Sequence, residues 1–235
     1  MLLSGQGAQK RMRIGVISDT HNLLRQEVLD ALEGCGAILH AGDICREEIL
    51  DRIARTGPVW AVRGNNDFGW AERLKTTLTF EVGGLRFAMA HRRRDLPADL
   101  SGFDVAVFGH THQYTEQWLE EGGRRTLLLN PGSCGPQRFM SPVTMVVLTA
   151  GPDGLTARRI ELDAGGRRPR PVPEADFRRQ IETVVRETKR GRTPAEIEKK
   201  TGMDPELAEQ IARLYVTHPG VTVEGIMTKM ELGRR

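Results

Sequence analysis

The chain has 235 residues, of which 39% are hydrophobic and 28% charged, with a formal net charge of +3. That length accommodates one full domain plus a small one, and the composition suits a soluble globular protein, with no apolar run near the ~20 residues that span a bilayer. Three scattered cysteines, Cys35, Cys45 and Cys134, exclude a disulfide framework or a CxxC thiolate site and point to a reducing cytoplasm, while so small a net charge makes no case by itself for nucleic acid.

Residues 1–11 lack the apolar core of a signal peptide and read as an N-terminal extension. The first strand, Ile14–Ser18, runs into Asp19-Thr20-His21. Leu24, Val28, Ala31 and Leu32 share a helical stripe that Gly34 is placed to end. A second strand, Ala37–His40, runs into Gly42-Asp43, and Ile49, Leu50, Ile53 and Ala54 mark a second helix, expected over Ile44–Arg55. Val59–Val62 leads to Gly64-Asn65-Asn66-Asp67. Leu78, Phe80 and Val82, then Leu85, Phe87 and Met89, alternate around Gly83-Gly84, the signature of a hairpin. That hairpin's second strand ends at His91, and Val105–Phe108 ends at Gly109-His110-Thr111-His112. Further strands are expected at Gln113–Leu119, Thr126–Asn130, Thr144–Thr149 and Leu155–Leu162.

The clearest boundary is Gly165–Pro173, whose three prolines and two glycines continue neither helix nor central strand. Beyond it, Phe177, Ile181, Val184 and Val185 share a helical face, and Thr193-Pro194-Ala195-Glu196 is a capping box. Asp204-Pro205 starts a helix with Leu207, Ile211 and Leu214 inward, and Thr222 is placed to cap a last one. Gly202 falls where a helix-turn-helix would turn. Glu206 and Glu209, however, lie near the start of the would-be recognition helix, and residues 174–235 hold 12 Lys plus Arg against 11 Asp plus Glu. This piece therefore reads as an oligomerisation or docking module rather than a nucleic-acid binder.

Five strand-like runs thus end in residues that bind metals. In open α/β sheets, ligands gather outside the carboxyl ends of strands. Singly, Asp19 and Asp43 serve equally well as caps for the turn or helix that follows. Taken with four of the six histidines, the ordered set supports a two-metal hydrolytic site. His40, inside a strand, reads as a hydrogen-bonded residue behind the ligands. Asp67 reads either as an orienting group or as a local turn residue.

Asp-x-His, Gly-Asp, Gly-Asn-x-Asp, a lone His after a strand and Gly-His-x-His, followed by Asn130-Pro131-Gly132-Ser133, occur here in one order. In that order residues 12–165 resemble the calcineurin-like metallophosphoesterases, and among them the small YfcE-type phosphodiesterases. The resemblance implies an α/β fold of two packed mixed β-sheets flanked by helices, to which this chain adds a 166–173 linker and a small all-α domain at 174–235. It implies one metal held by Asp19, His21, Asp43 and His112. A second would be held by Asp43, Asn65, His91 and His110, with Asp43 bridging. Asp43, Asn65 and His91 would then lie at the reacting centre. Imidazole with carboxylate suits Mn, and also Fe, Co, Ni or Zn, and two such ions could deliver a bridging hydroxide in line to phosphorus.

Two departures bear on substrate. Larger relatives carry His where Asn66 stands, so proton delivery to a leaving group is lost there. Relatives usually read His-Gly-His where this chain has His91-Arg92-Arg93, and these arginines either clamp a phosphate or form a solvated basic loop. Asn66, Arg92 and Arg93 are therefore the expected substrate contacts. The expected activity is phosphodiester hydrolysis of a small phosphoester or nucleotide in the cytoplasm, with phosphomonoester hydrolysis, a non-catalytic scaffold or a nucleic-acid-binding regulator as rivals.

Overall fold

The computed structural model describes residues 11–136, 142–152, 154–162, 174–201, 203 and 205–232. Residues 1–10 of the N-terminal extension, the 166–173 linker, Gly202 and Asp204 lie outside these residues. The chain divides into two compact units, Met1–Arg168 and Pro169–Arg235.

The first unit is a sandwich of two mixed five-stranded sheets. One contains β1 (Met12–Ile17), β2 (Ala37–His40), β3 (Val59–Ala61), β9 (Val143–Gly151) and β10 (Gly154–Leu162), in the order β10-β9-β1-β2-β3. The other contains β4 (Thr77–Val82), β5 (Leu85–Ala90), β6 (Val105–Val107), β7 (Thr115–Glu121) and β8 (Arg124–Asn130), in the order β4-β5-β6-β8-β7. Within the first sheet β1, β2 and β3 run parallel; within the second, β5, β6 and β8 do. The consecutive strands β4–β5, β7–β8 and β9–β10 pair antiparallel, as hairpin connections require. Gly83 and Gly84 both take left-handed φ, 63° and 77°, as a two-residue hairpin turn demands.

The shared core lies between the sheets. Ile14, Val16, Leu39, Phe87, Met89, Val107, Leu129 and Val146 are all fully buried there. Phe80 stacks on Trp60 of the facing sheet at 5.6 Å and on Phe87 at 5.3 Å, tying the layers at one edge. On the outer face of the first sheet, Val28 and Leu32 of α1 (Gln26–Leu32) and Ile53 of α2 (Glu47–Ala54) pack against Ile17, Ile38 and Met145. On the second sheet's outer face, Ala106, Phe108 and Leu128 are covered by Leu96 and Leu100.

Helix α2 starts three residues later than the apolar stripe suggests. Asp43 and Cys45 take φ of 56° and 70°, and left-handed residues cannot enter a right-handed helix. The capping role considered for Asp43 is thereby excluded: Arg46 stands at the N-cap, with no side-chain cap.

The second unit contains α3 (Glu174–Lys189), α4 (Pro194–Thr201), α5 (Pro205–Thr217) and α6 (Val223–Leu232). Ile181, Val184, Ile197, Ala208, Ile211 and Ile226 are buried within it. The capping box forms, with Glu196 N–H donating to Thr193 Oγ1 at 3.3 Å and Thr193 N–H to Glu196 Oε2 at 2.8 Å. Thr222 caps α6 by accepting the Gly225 N–H at 3.0 Å. The Glu187 carboxylate, 1% exposed, is met by Arg190, Arg192 and Lys200 at 3.1, 3.1 and 2.9 Å. No helix among the described residues is long and apolar enough to cross a membrane.

Candidate metal centre

The carboxyl ends of β1, β2 and β3 lie side by side in one sheet, and those of β5 and β6 in the other. Each leads into a loop carrying predicted donors, and the loops are laced together. Asp19 N–H donates to Gly42 O at 3.0 Å, His21 N–H to Asp43 O at 3.0 Å, and Gly109 N–H to His91 O at 2.9 Å.

The donors converge. Asp19, His21 and His112 form one group, and Asp19, Asp43 and His91 another, with the ligand atoms of each group within 4.8 Å of one another. His112 Nε2 lies 3.1 Å from Asp19 Oδ1 and 3.2 Å from His21 Nε2. Asp19 is common to both groups, and Asp43 Oδ2 of the second lies 3.7 Å from His21 Nε2 of the first and 3.3 Å from His91 Nε2. The Asn65 side-chain oxygen is 3.1 Å from His91 Nε2. His110 falls in neither group; its ring stands edge-on to His91 at 5.1 Å, and its N–H donates to Asp19 Oδ2 at 3.1 Å.

This set fits a divalent cation. Ligands about 2.0–2.2 Å from an ion lie within roughly 4.4 Å of one another, close to the 4.8 Å that bounds each group here. Asp19 and Asp43 are both fully buried, and buried carboxylates need positive partners. Burial pushes the Asp19 carboxyl up, but His112 and His21 outweigh it and hold it well below the usual range. Burial likewise pulls His91 down, yet Asp43 and Asp19 raise it to about 9. Both shifts favour positive charge beside the carboxylates. The local backbone is strained as well: Asp19, His21, Asp43, His110 and His112 take φ of 56°, 41°, 56°, 69° and 56°. Non-glycine residues rarely adopt such angles, and those that do cluster at functional sites.

Other residues aim these donors. His91 Nδ1 donates to Ala41 O at 2.8 Å, which turns Nε2 toward Asp43 and Asn65. His40 is buried behind the ligands, as its sequence position suggested. Its Nδ1 accepts the Gly42 N–H at 3.2 Å, so its Nε2–H faces Thr20 Oγ1 at 3.1 Å. Burial drives its pKa down to about 3, against the pull of Asp19, and keeps it neutral.

Asp67, left open between two roles by the sequence, accepts N–H bonds from Asp43, Ile44, Cys45 and Gly64 at 2.6–2.9 Å. Asn130 went unassigned: its amide donates to Gly109 O at 2.9 Å and Thr111 Oγ1 at 3.0 Å, bracing the His110–His112 loop. The Gly-before-ligand pattern of Gly42-Asp43, Gly64-Asn65 and Gly109-His110 was a readable signal. A Cβ on Gly42 would lie 2.8 Å from His91 Nδ1, one on Gly64 would overlap Asp43, and one on Gly109 would overlap Ser18.

The expected substrate contacts differ in placement. Asn66 turns its amide onto Asp43 Oδ2 at 2.8 Å. Arg92 is half-buried, its Nε enclosed and without a hydrogen-bond partner among the described residues. Arg93 is exposed and opens a short 3-10 turn.

A calcineurin-like phosphoesterase superfamily domain matches residues 12–152. The chain belongs to that superfamily. A probable metallophosphoesterase of Methanothermobacter thermautotrophicus is 35% identical over 155 residues, 60% of this chain and 87% of that protein. One from Methanocaldococcus jannaschii is 31% identical over 168 residues, 65% of this chain and 82% of that protein. The fold is shared with vacuolar protein sorting 29 of Cryptosporidium parvum, at a TM-score of 0.53 and 19% identity, covering 66% of this chain and 93% of that one. Membership of the calcineurin-like superfamily and the His/Asp cluster together support a metal-dependent phosphoesterase.

Proposed function

We propose that the protein is a phosphodiesterase with a two-cation centre, manganese being the favoured metal. One ion would be held by Asp19, His21, Asp43 and His112, and the other by Asp43, Asn65, His91 and His110. The observation that carries this reading is the place of Asp43 Oδ2, between His21 and His91 at 3.7 and 3.3 Å. A carboxylate so placed serves two ions at once. Such ions acidify water and draw charge from a phosphoryl oxygen.

The chain's own residues do the rest. Asn66 steadies Asp43 through its amide and offers no proton. The enclosed Arg92 Nε is a donor in want of an acceptor, and a phosphoryl oxygen supplies one; Arg93 adds exposed charge. Water would form the new P–O bond directly as the ester P–O bond breaks. Cys134 is no candidate nucleophile: it is buried, its thiol donates to Ser18 O, and burial pushes its pKa up to about 12. Residues 12–165 would carry this chemistry and 174–235 would form a helical docking module.

The test is metal content together with Mn-dependent hydrolysis of bis-p-nitrophenyl phosphate, in the native chain and in Asp43→Ala. Two equivalents of metal and faster turnover of the diester than of p-nitrophenyl phosphate are expected, both lost in the variant. Faster monoester turnover would reverse the diester preference. A variant that kept metal and rate would overturn the site.

A further inference from the structure

We propose that Phe68 determines specificity: its ring receives an aromatic or nucleobase substituent of the phosphoester whose phosphorus sits at the donor cluster. The proposal rests on the phosphoesterase reading above.

Among the described residues, the exposed large apolar side chains are Leu23, Phe68, Trp118 and Val216. Trp118 is covered by Arg125, 4.8 Å above its ring, and Val216 belongs to the helical unit. The other two follow proposed ligands closely in the chain: Leu23 follows His21 by two residues, and Phe68 follows Asn65 by three. Isolated exposed apolar residues are ordinary. These two sit on loops bonded to a common neighbour. Asn22 N–H donates to Ile44 O at 3.3 Å, and Asp67 accepts from Asp43, Ile44 and Cys45.

Phe68 is 73% exposed on a firmly anchored base. On one side Asp67 is buried under its four N–H bonds. On the other, Phe68 O accepts the Ala71 N–H at 3.5 Å, and Trp70 Nε1–H donates to Cys45 O at 3.4 Å. Arg73 lies over Trp70 at 5.7 Å and pairs with Glu47 at 2.5 Å. A ring presented on ordered backbone loses little freedom on contact. Three residues of chain span at most about 11 Å, so Phe68 stays within reach of an ester substituent on phosphorus near Asn65. Aromatic side chains stack on any base or aryl ring because every such ring has a π-face.

The test uses the full-length, Mn-loaded chain as wild type, Phe68→Ala and Phe68→Trp. Calorimetry compares phenylphosphonate with methylphosphonate, neither of which carries an ester to cleave. Wild type is expected to prefer the phenyl ligand by about tenfold, in line with ring stacking. Phe68→Ala should bring that ratio to about one with Mn content and methylphosphonate affinity unchanged, and Phe68→Trp should keep it. In turnover of bis-p-nitrophenyl phosphate, Phe68→Ala should raise KM and spare kcat. An unchanged ratio in Phe68→Ala, no preference in wild type, or loss of methylphosphonate binding along with phenyl binding overturns the role of Phe68 alone. A wild-type chain that takes up no Mn or binds neither phosphonate sinks the phosphoesterase reading and this inference with it.

Discussion

Asp67 carries no ligand atom into the cluster, yet it fixes the Asp43 loop by accepting four backbone N–H groups. Replacing one carboxylate oxygen with an amide puts an N–H against N–H donors, and each buried donor left unmet costs about 1–3 kcal/mol. Residues that orient metal ligands change affinity by about 10–100-fold when replaced. Asp67→Asn should therefore weaken Mn binding by about that factor, measured by metal titration, and lower the melting temperature. Unchanged metal affinity would show that the loop holds its shape without Asp67. At this scale the sequence was uneven. That Asp19, His21, Asp43, Asn65, His91, His110 and His112 gather at one rim could be read because each follows a recognisable strand; that they hold metal is the proposal. Asp67 and Asn130 could not, since their partners are backbone groups that every residue carries.

Strand ends bring the donors together only because glycine precedes three of them. A Cβ at Gly64 would overlap the Asp43 carboxylate. Gly64→Ala should thus displace Asp43 and lose metal, with the sandwich core, centred on Phe87 and Leu129, intact. Metal analysis beside far-ultraviolet circular dichroism checks this, and a variant with full metal content would disprove the close approach. The parallel strands were legible as short apolar runs, and the β4–β5 hairpin through alternation around Gly83-Gly84. The start of α2 was not. Asp43 and Cys45 are left-handed, and nothing in those residue types announces it as a glycine would.

Over the whole molecule, the cluster sets how stability responds to pH. In the metal-free chain His91 titrates near 9, against about 6.5 when unfolded. Its folded-state pKa is raised, so its contribution is complete below about 6.5 and fades as pH climbs through about 9. A bound cation needs the imidazole neutral, which reverses the trend. Melting curves at pH 6.5 and 9.5 should show the metal-free chain losing stability at the higher pH and the increment from Mn growing. A Mn increment that shrank with rising pH would contradict the placement of His91. The two-layer architecture was legible through the family resemblance, but the pairing inside it was not, since β5, β6 and β8 run parallel in the same stretch of sequence as their antiparallel neighbours β4 and β7. The helical unit was legible through its stripes and caps, but its purpose was not, since its near-balanced charge selects no partner.

The five left-handed donor residues have a further consequence. Each holds its backbone in a shape that only glycine tolerates freely, at a cost of roughly 1–2 kcal/mol. Competence at the rim is thus bought with resistance to heat. His21→Gly should melt higher than His21→Ala in metal-free buffer, by the equivalent of about 1 kcal/mol, while both lose the gain that Mn confers. Selection for thermal robustness alone would drift this rim toward glycine and silence it.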